Sequence, residues 1–470
     1  MEKSPDIPEN MYLSTPLGIL FLKTATPIIL IMMTNGLFTV VDGWFVGRFV
    51  GPDALSAVTM VFPLFMMLIA LGTLVSTGFA SVLARMLGAG QRREGEEAMT
   101  SALILSAVIC GFLILLFELF GRDLVLAIAN GSPTLAGMGH VYISLTIQFS
   151  PLFFLLSMLS DSFRCQGKLG AMTLFTVAAT LLNGFFNYLL IVEFNMGVAG
   201  SAYGTALAQV GSSIAALGYI YATDNTLRFR IVNIASFFRH WGSYLALGAP
   251  SSLSYVGVSA MSASIVYQLQ VWDSDTYGTS VAAYGIVTRL LTFGYMPLLG
   301  MTLALQAIAG NNFGAKNWER TFGSLKITAL AALVYCAILE MAFVFLSGPL
   351  ASMFVENAAI VAETDRILPP MALLYILFGP MLMVPSFFQA IGDAGRAGLL
   401  GLGKIYVISI PLILLLPYGM GEMGIWYAGP VSEVFGLILT LAVLWHTGML
   451  GGNQDRFLQS KMIPPNHNTL

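Results

Sequence analysis

The chain has 470 residues, of which 57 % are hydrophobic and only 10 % are charged. Soluble domains carry about 25 % charged residues, so this composition excludes a water-soluble fold. The net charge of −3 and the lack of a long basic run give no basis for a nucleic-acid partner. Backbone groups inside a bilayer must be satisfied within helices or a closed barrel, and apolar runs of about 20 residues favour helices.

These apolar runs, separated by charged or Gly/Pro-rich breaks, predict an all-α integral membrane protein with twelve membrane-spanning helices. In chain order the predicted spans are 17–47, 54–84, 98–119, 141–163, 172–192, 199–221, 243–271, 280–308, 327–346, 367–391, 401–418 and 424–446. The first, second, seventh and eighth runs exceed what a hydrocarbon core of about 30 Å requires. We therefore expect these helices to tilt or to extend into the interface.

Lys and Arg residues are distributed unequally between the two sides of this predicted bundle. With the N-terminus in the cytoplasm, sixteen of the 21 basic residues, Lys404 among them, fall in cytoplasmic segments or helix ends. Three lie in outer segments, and Lys23 and Arg289 lie inside spans. Because basic loops are retained in the cytoplasm, the sequence predicts a multi-pass plasma membrane (bacterial inner membrane) protein with both termini cytoplasmic.

The longest basic connection divides the predicted spans into two sets of six. We expect an N-lobe over 1–221, a cytoplasmic inter-lobe loop over 222–242, a C-lobe over 243–450 and a cytoplasmic tail over 451–470.

A weak internal repeat supports this division. Gly88 closes the second span as Gly314 closes the eighth, and Gly197 precedes the sixth span as Gly424 precedes the twelfth. The sequence separation within these two pairs is the same to within a single position. Both sets hold an even number of spans and start on the same side, so the repeats are parallel and related by an axis along the membrane normal. The pattern predicts two pseudo-symmetric six-helix lobes around a central cleft, an arrangement suited to transport by rocking.

Asp42 lies within the long first predicted span, near its outer part. An ionised carboxylate at mid-bilayer costs about 2.5 to 3.5 kcal/mol on insertion scales, so it requires a reason. One reason is a role in ion coupling, and the other is an interfacial position with Arg48 or a backbone group as partner. Pro27 in the same span corresponds to Pro250 in the seventh, and we expect Pro27 to act as a hinge.

Two segments carry a resemblance to a known family. Pro27, the run from Val41 to Gly47 and the basic turn after Gly88 resemble the opening of the multidrug and toxic compound extrusion (MATE) transporters. The run 306–315 with Arg320 resembles the exit of that family's eighth span, so the resemblance covers nearly the whole chain. It implies Na⁺ or H⁺ antiport by two lobes that enclose a central chamber.

The resemblance also implies an N-lobe cation site formed by Asp42, Asn183, Asn187 and Thr205. Asn183 and Asn187 are four residues apart and share a helix face, although amides also serve as ordinary contacts between membrane helices. Relatives commonly carry Asp where this chain has Asn187. One carboxylate with several neutral oxygens suits Na⁺ as a metal ligand set, whereas only Asp42 can take up H⁺, so both coupling ions remain open.

The C-lobe offers a different set of charges. Relatives with a C-lobe cation site carry carboxylates on the seventh and tenth spans, but here the seventh has Gln268 and Gln270 and the tenth has no acid. Besides Glu340 on the ninth span, Arg289 and Glu433 are the mid-span charges of this lobe. We expect Arg289 and Glu433 to form an ion pair or to contact the substrate.

These features together favour a secondary antiporter that exports small organic molecules, either drug-like compounds or a secondary metabolite, by alternating access. The alternative is a flippase for lipid-linked precursors with a related architecture, which would need a cationic chamber. The absence of an HExxH pair and the isolated histidines argue against an enzyme. We expect no cofactor besides the coupling ion, a small organic substrate and membrane lipid as partners, and a monomer.

Overall fold

The computed structural model describes residues 10–129, 132–230, 238–272 and 276–449, without the side chains of 38–40. Within these residues every regular element is helical. The predicted tail and the middle of the predicted inter-lobe loop lie outside the described residues.

The first half of the chain, up to residue 222, begins with a short helical turn and continues in long helices. Its helices are α1 (Met11–Ser14), α2 (Leu17–Phe45), α3 (Pro52–Met60), α4 (Phe62–Gly88), α5 (Arg92–Ile128), α6 (Pro133–Gln148), α7 (Ser150–Cys165), α8 (Leu169–Asn187) and α9 (Gly197–Ala222). Two π-helical segments, Val46–Val50 and Tyr188–Glu193, extend α2 and α8.

The second half, from residue 241 onward, has the same general plan. Its helices are α10 (Trp241–Trp272), α11 (Tyr277–Gly314), α12 (Trp318–Phe345), α13 (Ser347–Ser352), α14 (Ala358–Ala372), α15 (Tyr375–Ala390), α16 (Ala394–Leu402), α17 (Ile410–Leu415), α18 (Pro417–Met420) and α19 (Met423–His446). A third π-helical segment, Gly403–Ser409, joins α16 to α17.

Twelve helical spans cross the described bundle, which confirms the predicted all-α membrane fold. Eight are long and apolar, and two are bent pairs, α6 with α7 at 47° and α14 with α15 at 51°. The last two, α9 and α10, have 26 and 32 residues and are richer in glycine and serine.

Hydropathy alone hides the breaks inside three predicted spans. The second predicted span begins as the separate helix α3, and α4 starts afresh at Phe62 with Pro63 in its first turn. The fourth span breaks before Pro151, and the tenth breaks at Leu374, whose φ of 63° is left-handed. The Glu340 carboxylate from α12 satisfies the backbone at the break in the tenth span, accepting hydrogen bonds from the N–H groups of Leu374 at 3.1 Å and Ile376 at 2.7 Å.

One end of the bundle gathers the turns 89–91, 166–168, 223–230, 315–317 and 391–393, and we call it the basic end. Arg92 donates to the carbonyl of Thr226 at 2.7 Å, and the N–H of Leu227 donates to Gln166 Oε1 at 3.0 Å. Leu227 is fully buried. The described part of the predicted inter-lobe loop is therefore fastened to the first half.

The two halves meet at the basic end through a reciprocal glycine contact. A Cβ added to Gly88 would lie 1.9 Å from the carbonyl oxygen of Asn311, and one added to Gly314 would lie 2.0 Å from that of Arg85. Asn311 and Gly314 follow Arg85 and Gly88 at the same sequence offset, so α4 and α11 touch about the predicted pseudo-twofold axis. Both backbones approach more closely than any side chain permits.

A second reciprocal contact joins α4 to α10. A Cβ on Gly78 would lie 2.0 Å from the carbonyl oxygen of Tyr244, and one on Gly248 would lie 1.8 Å from that of Leu74. We refer to these two glycine contacts together as the seam.

Tyr12, in the short helix α1, forms hydrogen bonds to both halves beside the seam. The Tyr12 hydroxyl donates to the carbonyl of Arg164 at 2.5 Å, while Tyr12's own carbonyl accepts from Asn312 at 3.0 Å and from Arg320 at 2.9 Å. Arg164 is fully buried and donates across the halves to the carbonyl of Leu303 at 2.7 Å. These buried and partly buried bonds hold the two halves together at the basic end in this structure.

Candidate functional site

Asp42 lies on α2, one turn before its π-helical extension, and is partly buried among three helices. Its Oδ1 accepts a hydrogen bond from Asn187 Nδ2 on α8 at 2.6 Å and another from Ser201 Oγ on α9 at 2.9 Å. Arg48 is exposed, and no ion pair joins it to Asp42 among the described residues. The carboxylate therefore faces the interior of the first half, and Arg48 is not its partner.

Glycines on α9 allow this convergence. A Cβ on Gly204 would lie 2.3 Å from Asn187 Oδ1, and one on Gly200 would lie 3.0 Å from Ile191 Cγ1. The pair is spaced for one helix face, so α9 lies directly against α8 where Asn187 projects.

Asn187 brings an unused oxygen to the site. The residue is fully buried, and its Oδ1 has no hydrogen-bond partner among the described residues. A buried acceptor without a partner costs about 1 to 3 kcal/mol. Together with the Asp42 carboxylate and Ser201 Oγ, this oxygen provides hard ligands of the kind that Na⁺ takes.

The other two predicted ligands lie one helical turn away. Asn183 Nδ2 donates to Thr205 Oγ1 at 2.8 Å, which joins α8 to α9 in a second polar layer. The structure thus brings Asp42 and Asn187 into direct contact, and Asn183 and Thr205 into contact with each other.

Ser201 is the site residue that the sequence prediction missed. Its position four residues before Thr205 places both on one face of α9, and that spacing is the signal that could have found it.

The polar face of α8 continues toward the basic end. Thr180 Oγ1 donates to Asn35 Oδ1 on α2 at 3.2 Å, and Thr176 and Ser160 hydroxyls lie 3.4 Å apart. Polar side chains thus line one side of α8 from Thr176 to Asn187.

The charges of the second half are arranged differently from the prediction. Glu433 pairs with Lys404, whose Nζ lies 2.7 Å from both carboxylate oxygens, so the expected Arg289–Glu433 ion pair is wrong. Arg289 is exposed on α11. The sequence groups Lys404 with the cytoplasmic helix ends, but Lys404 lies inside the span Ala394–Met420, because α16 extends this span toward the N-terminus to Ala394.

Comparison with known proteins supplies the family. A family model described as MatE matches residues 27–189 and 250–415, which together make up more than half of the chain. This chain belongs to the MatE family. The two matched segments fall in the first and second halves, in agreement with the internal repeat.

Individual relatives of this MATE protein extend the match over nearly the full chain. The FAD transporter of Shewanella oneidensis is 24 % identical over 434 residues, covering 90 % of this chain and 93 % of that protein. The multidrug export protein MepA of Staphylococcus haemolyticus is 22 % identical over 421 residues, covering 88 % and 91 %. A multidrug resistance MATE transporter of the MOP superfamily, solved in an outward-facing conformation, superposes with a TM-score of 0.84 at 21 % identity, covering 96 % of this chain and 99 % of that one.

The chain is accordingly a multi-pass membrane transporter of the MATE efflux type and not an enzyme. Its resemblance to this family, inferred from the segments around Asp42 and Arg320, is confirmed.

Proposed function

We propose that this MATE transporter is a secondary antiporter that exports small organic molecules from the cytoplasm in exchange for Na⁺ or H⁺. The observation that carries the proposal is the contact of Asp42 with Asn187 and Ser201 inside the membrane. A carboxylate inside a membrane span is costly, and the Asn187 amide that donates to it also carries a buried oxygen, Oδ1, without a hydrogen-bond partner among the described residues. Small organic substrates accord with the names of the relatives, one an FAD transporter and another a multidrug export protein.

The alternating-access cycle would operate around the seam. The basic bias of the loops favours a cytoplasmic position for the basic end and both termini, and the seam would then close the cytoplasmic side of the cleft. Pro27 lies inside α2 and removes one backbone hydrogen bond there, which supports its role as the hinge. One chain contains both halves, so a monomer suffices.

Substrate release would use the far half of α10, opposite the basic end. An open groove of 540 Å³ runs along this helix. Its lining residues are Ser259, Ser262, Ala263, Val266, Tyr267 and Gln270. Small hydroxyls, one aromatic ring and one amide suit varied organic molecules better than a single fixed ligand.

The alternative flippase has less support. A chamber for a lipid-linked pyrophosphate needs free cations, whereas Lys404 is neutralised by Glu433 and Arg164 is paired with Asp161 at 2.7 Å. These two cations inside the bundle thus already have carboxylate partners.

Transport measurements in proteoliposomes test the antiport proposal directly. We expect uptake or release of a planar organic cation dye to follow an imposed Na⁺ or H⁺ gradient and to stop when that gradient is collapsed by an ionophore. Vesicles without the protein are the control. Transport that continues unchanged without either gradient would contradict antiport.

Asn187→Asp is expected to tighten Na⁺ binding at the site about tenfold, roughly 1.4 kcal/mol, because a second carboxylate would replace the amide beside Asp42. H⁺ should compete more strongly as well, since two adjacent carboxylates share a proton. Isothermal titration or radiolabelled Na⁺ binding across pH measures both effects.

Asn183→Asp is the matched control for this prediction. It adds the same charge to the same face of α8, but Asn183 contacts Thr205 and not Asp42. Equal tightening in both variants would indicate general attraction of cations and not a site at Asp42.

A further inference from the structure

The two halves carry equivalent polar contacts at the sequence offset of the internal repeat. In the first half, Asn183 on α8 donates to Thr205 on α9 at 2.8 Å. In the second half, Ser409 and Ser432 hydroxyls lie 2.5 Å apart. Ser409 follows Asn183 at the offset that separates Gly88 from Gly314, and Ser432 follows Thr205 at the offset that separates Gly197 from Gly424. The repeat therefore places this serine pair at the second-half counterpart of the Asn183–Thr205 layer.

The second-half counterparts of Asp42, Asn187 and Ser201 do not include a charged ion ligand. At the same repeat offset, Gln268 corresponds to Asp42 and Ile413 corresponds to Asn187. The contact itself persists, because Gln268 Nε2 donates to the backbone carbonyl of Ile413 at 3.2 Å. Ala428 corresponds to Ser201, with the offset that relates Ser432 to Thr205. An amide, an isoleucine and an alanine cannot supply the charge that a cation needs in a membrane.

A carboxylate nevertheless lies next to the serine pair in the chain, and its cation is another side chain of the protein. Glu433 directly follows Ser432, and Lys404 Nζ lies 2.7 Å from both of its oxygens. The side chains of Glu433 and Lys404 are only 13 % and 18 % exposed. Ser409 Oγ also donates to the carbonyl of Lys404 at 2.9 Å, closing a turn of the π-helical segment.

The surroundings hold Lys404 in this position. Its Nζ lies 4.8 Å from the centroid of the Phe378 ring, and its Cδ lies 3.3 Å from where a Cβ on Gly436 would be. A cation over an aromatic face is favourable, and the glycine leaves room for the lysine stem. Breaking a buried ion pair by removing one partner leaves an uncompensated charge, so the remaining carboxylate would need another cation.

We propose that Lys404 is a tethered cation that fills a carboxylate site of the second half, at a position different from the counterpart of the Asp42 site. Glu433 provides the carboxylate of a second monovalent-cation site that is permanently filled by the lysine ammonium. Lys404 thereby restricts exchange of free cations to the Asp42 site, and it sets the number of ions that one chain can bind.

The test asks whether removing the lysine opens a site for a free cation. In an Asp42→Asn background, which removes the carboxylate of the first-half site, binding of radiolabelled Na⁺, and of Rb⁺ as a larger ion, is measured on purified protein in detergent. The Asp42→Asn protein is expected to bind neither ion above a baseline measured in detergent without protein. Adding Lys404→Met is expected to create one equivalent of saturable binding, at least tenfold above that baseline.

Two further variants make the result specific. Glu433→Gln added to the Lys404→Met protein should abolish the new binding, and Lys404→Arg should not create it, since arginine retains the charge. Lys404→Gln replaces Lys404→Met if the methionine variant does not elute as a single folded species. The proposal would be overturned if a folded Lys404→Met or Lys404→Gln protein showed no cation binding that depends on Glu433. It would also be overturned if Lys404→Arg bound as much cation as Lys404→Met.

The assay is independent of the transport direction and of the substrate. If the proposed coupling at Asp42 were wrong, the Asp42→Asn substitution would not reduce the cation binding of the wild-type protein. The tethered-cation proposal is judged only by the binding gained when Lys404 is replaced.

Discussion

Replacing Asp42 with asparagine is expected to lower the affinity for the coupling cation on the order of a hundredfold and to abolish gradient-driven export. The substitution preserves shape and keeps an oxygen that can accept from Ser201, but it removes the charge. Removing one member of a desolvated charge pair costs about 3 kcal/mol, which corresponds to that loss of affinity. Dye transport in proteoliposomes and direct Na⁺ binding across pH measure the two effects.

Asp53→Asn is the matched control for Asp42→Asn. It makes the same chemical change in the first turn of α3, where the side chain is exposed, and should leave transport within about twofold of wild type. Wild-type export by Asp42→Asn would remove Asp42 from the mechanism. Complete loss of export in Glu433→Gln, with Asp42→Asn unaffected, would move coupling to the second half.

Gly78→Ala is expected to open the seam. The added methyl carbon would lie 2.0 Å from the carbonyl oxygen of Tyr244, a distance that no packed structure tolerates, and that oxygen belongs to a rigid helix backbone. Overpacking of this kind costs about 1 to 3 kcal/mol, which would shift the balance away from the closed basic end by roughly 5- to 150-fold. Spin labels at residues 93 and 316, both exposed at the basic end, would report longer distances between the halves.

Gly111→Ala provides the control for this variant. Gly111 lies inside α5 with nothing within 4 Å of an added Cβ, so the same substitution should leave the distance between the labels unchanged. Because alanine favours helix over glycine by about 1 kcal/mol, any general effect on helix stability would appear in both variants. If both variants gave the wild-type distance, the seam would not hold the halves closed.

The seam explains a sequence pattern whose role was not apparent from the sequence. Gly88 and Gly314 are equivalent in the sequence because each ends a span before a basic turn. The structure adds that these two glycines meet each other's helices, each against a backbone carbonyl, about the pseudo-twofold axis. Equivalent positions of the two sequence repeats therefore contact each other in the structure.

The sequence by itself determined the membrane class, the twelve spans and the candidate ion-coupling carboxylate. Each of these three features depends on a large free energy of transfer into the membrane that a single stretch of sequence determines. Burial of about 20 apolar residues decides whether a helix spans the bilayer, and the cost of one ionised group there marks Asp42. Neither term depends on which helices become neighbours.

Tertiary structure alone decided which polar groups meet. Ser201 joins Asp42, and Lys404 rather than Arg289 joins Glu433, because the rotation of each helix and its closest neighbours select the partner. Hydropathy averages over whole spans and cannot resolve rotation, since one residue turns a side chain by about 100° around the helix axis. The π-helical segment Gly403–Ser409 changes the rotation of its span locally. The helix break at Leu374 depends on a carboxylate from another helix. These are properties of helix pairs, and no single stretch of sequence contains them.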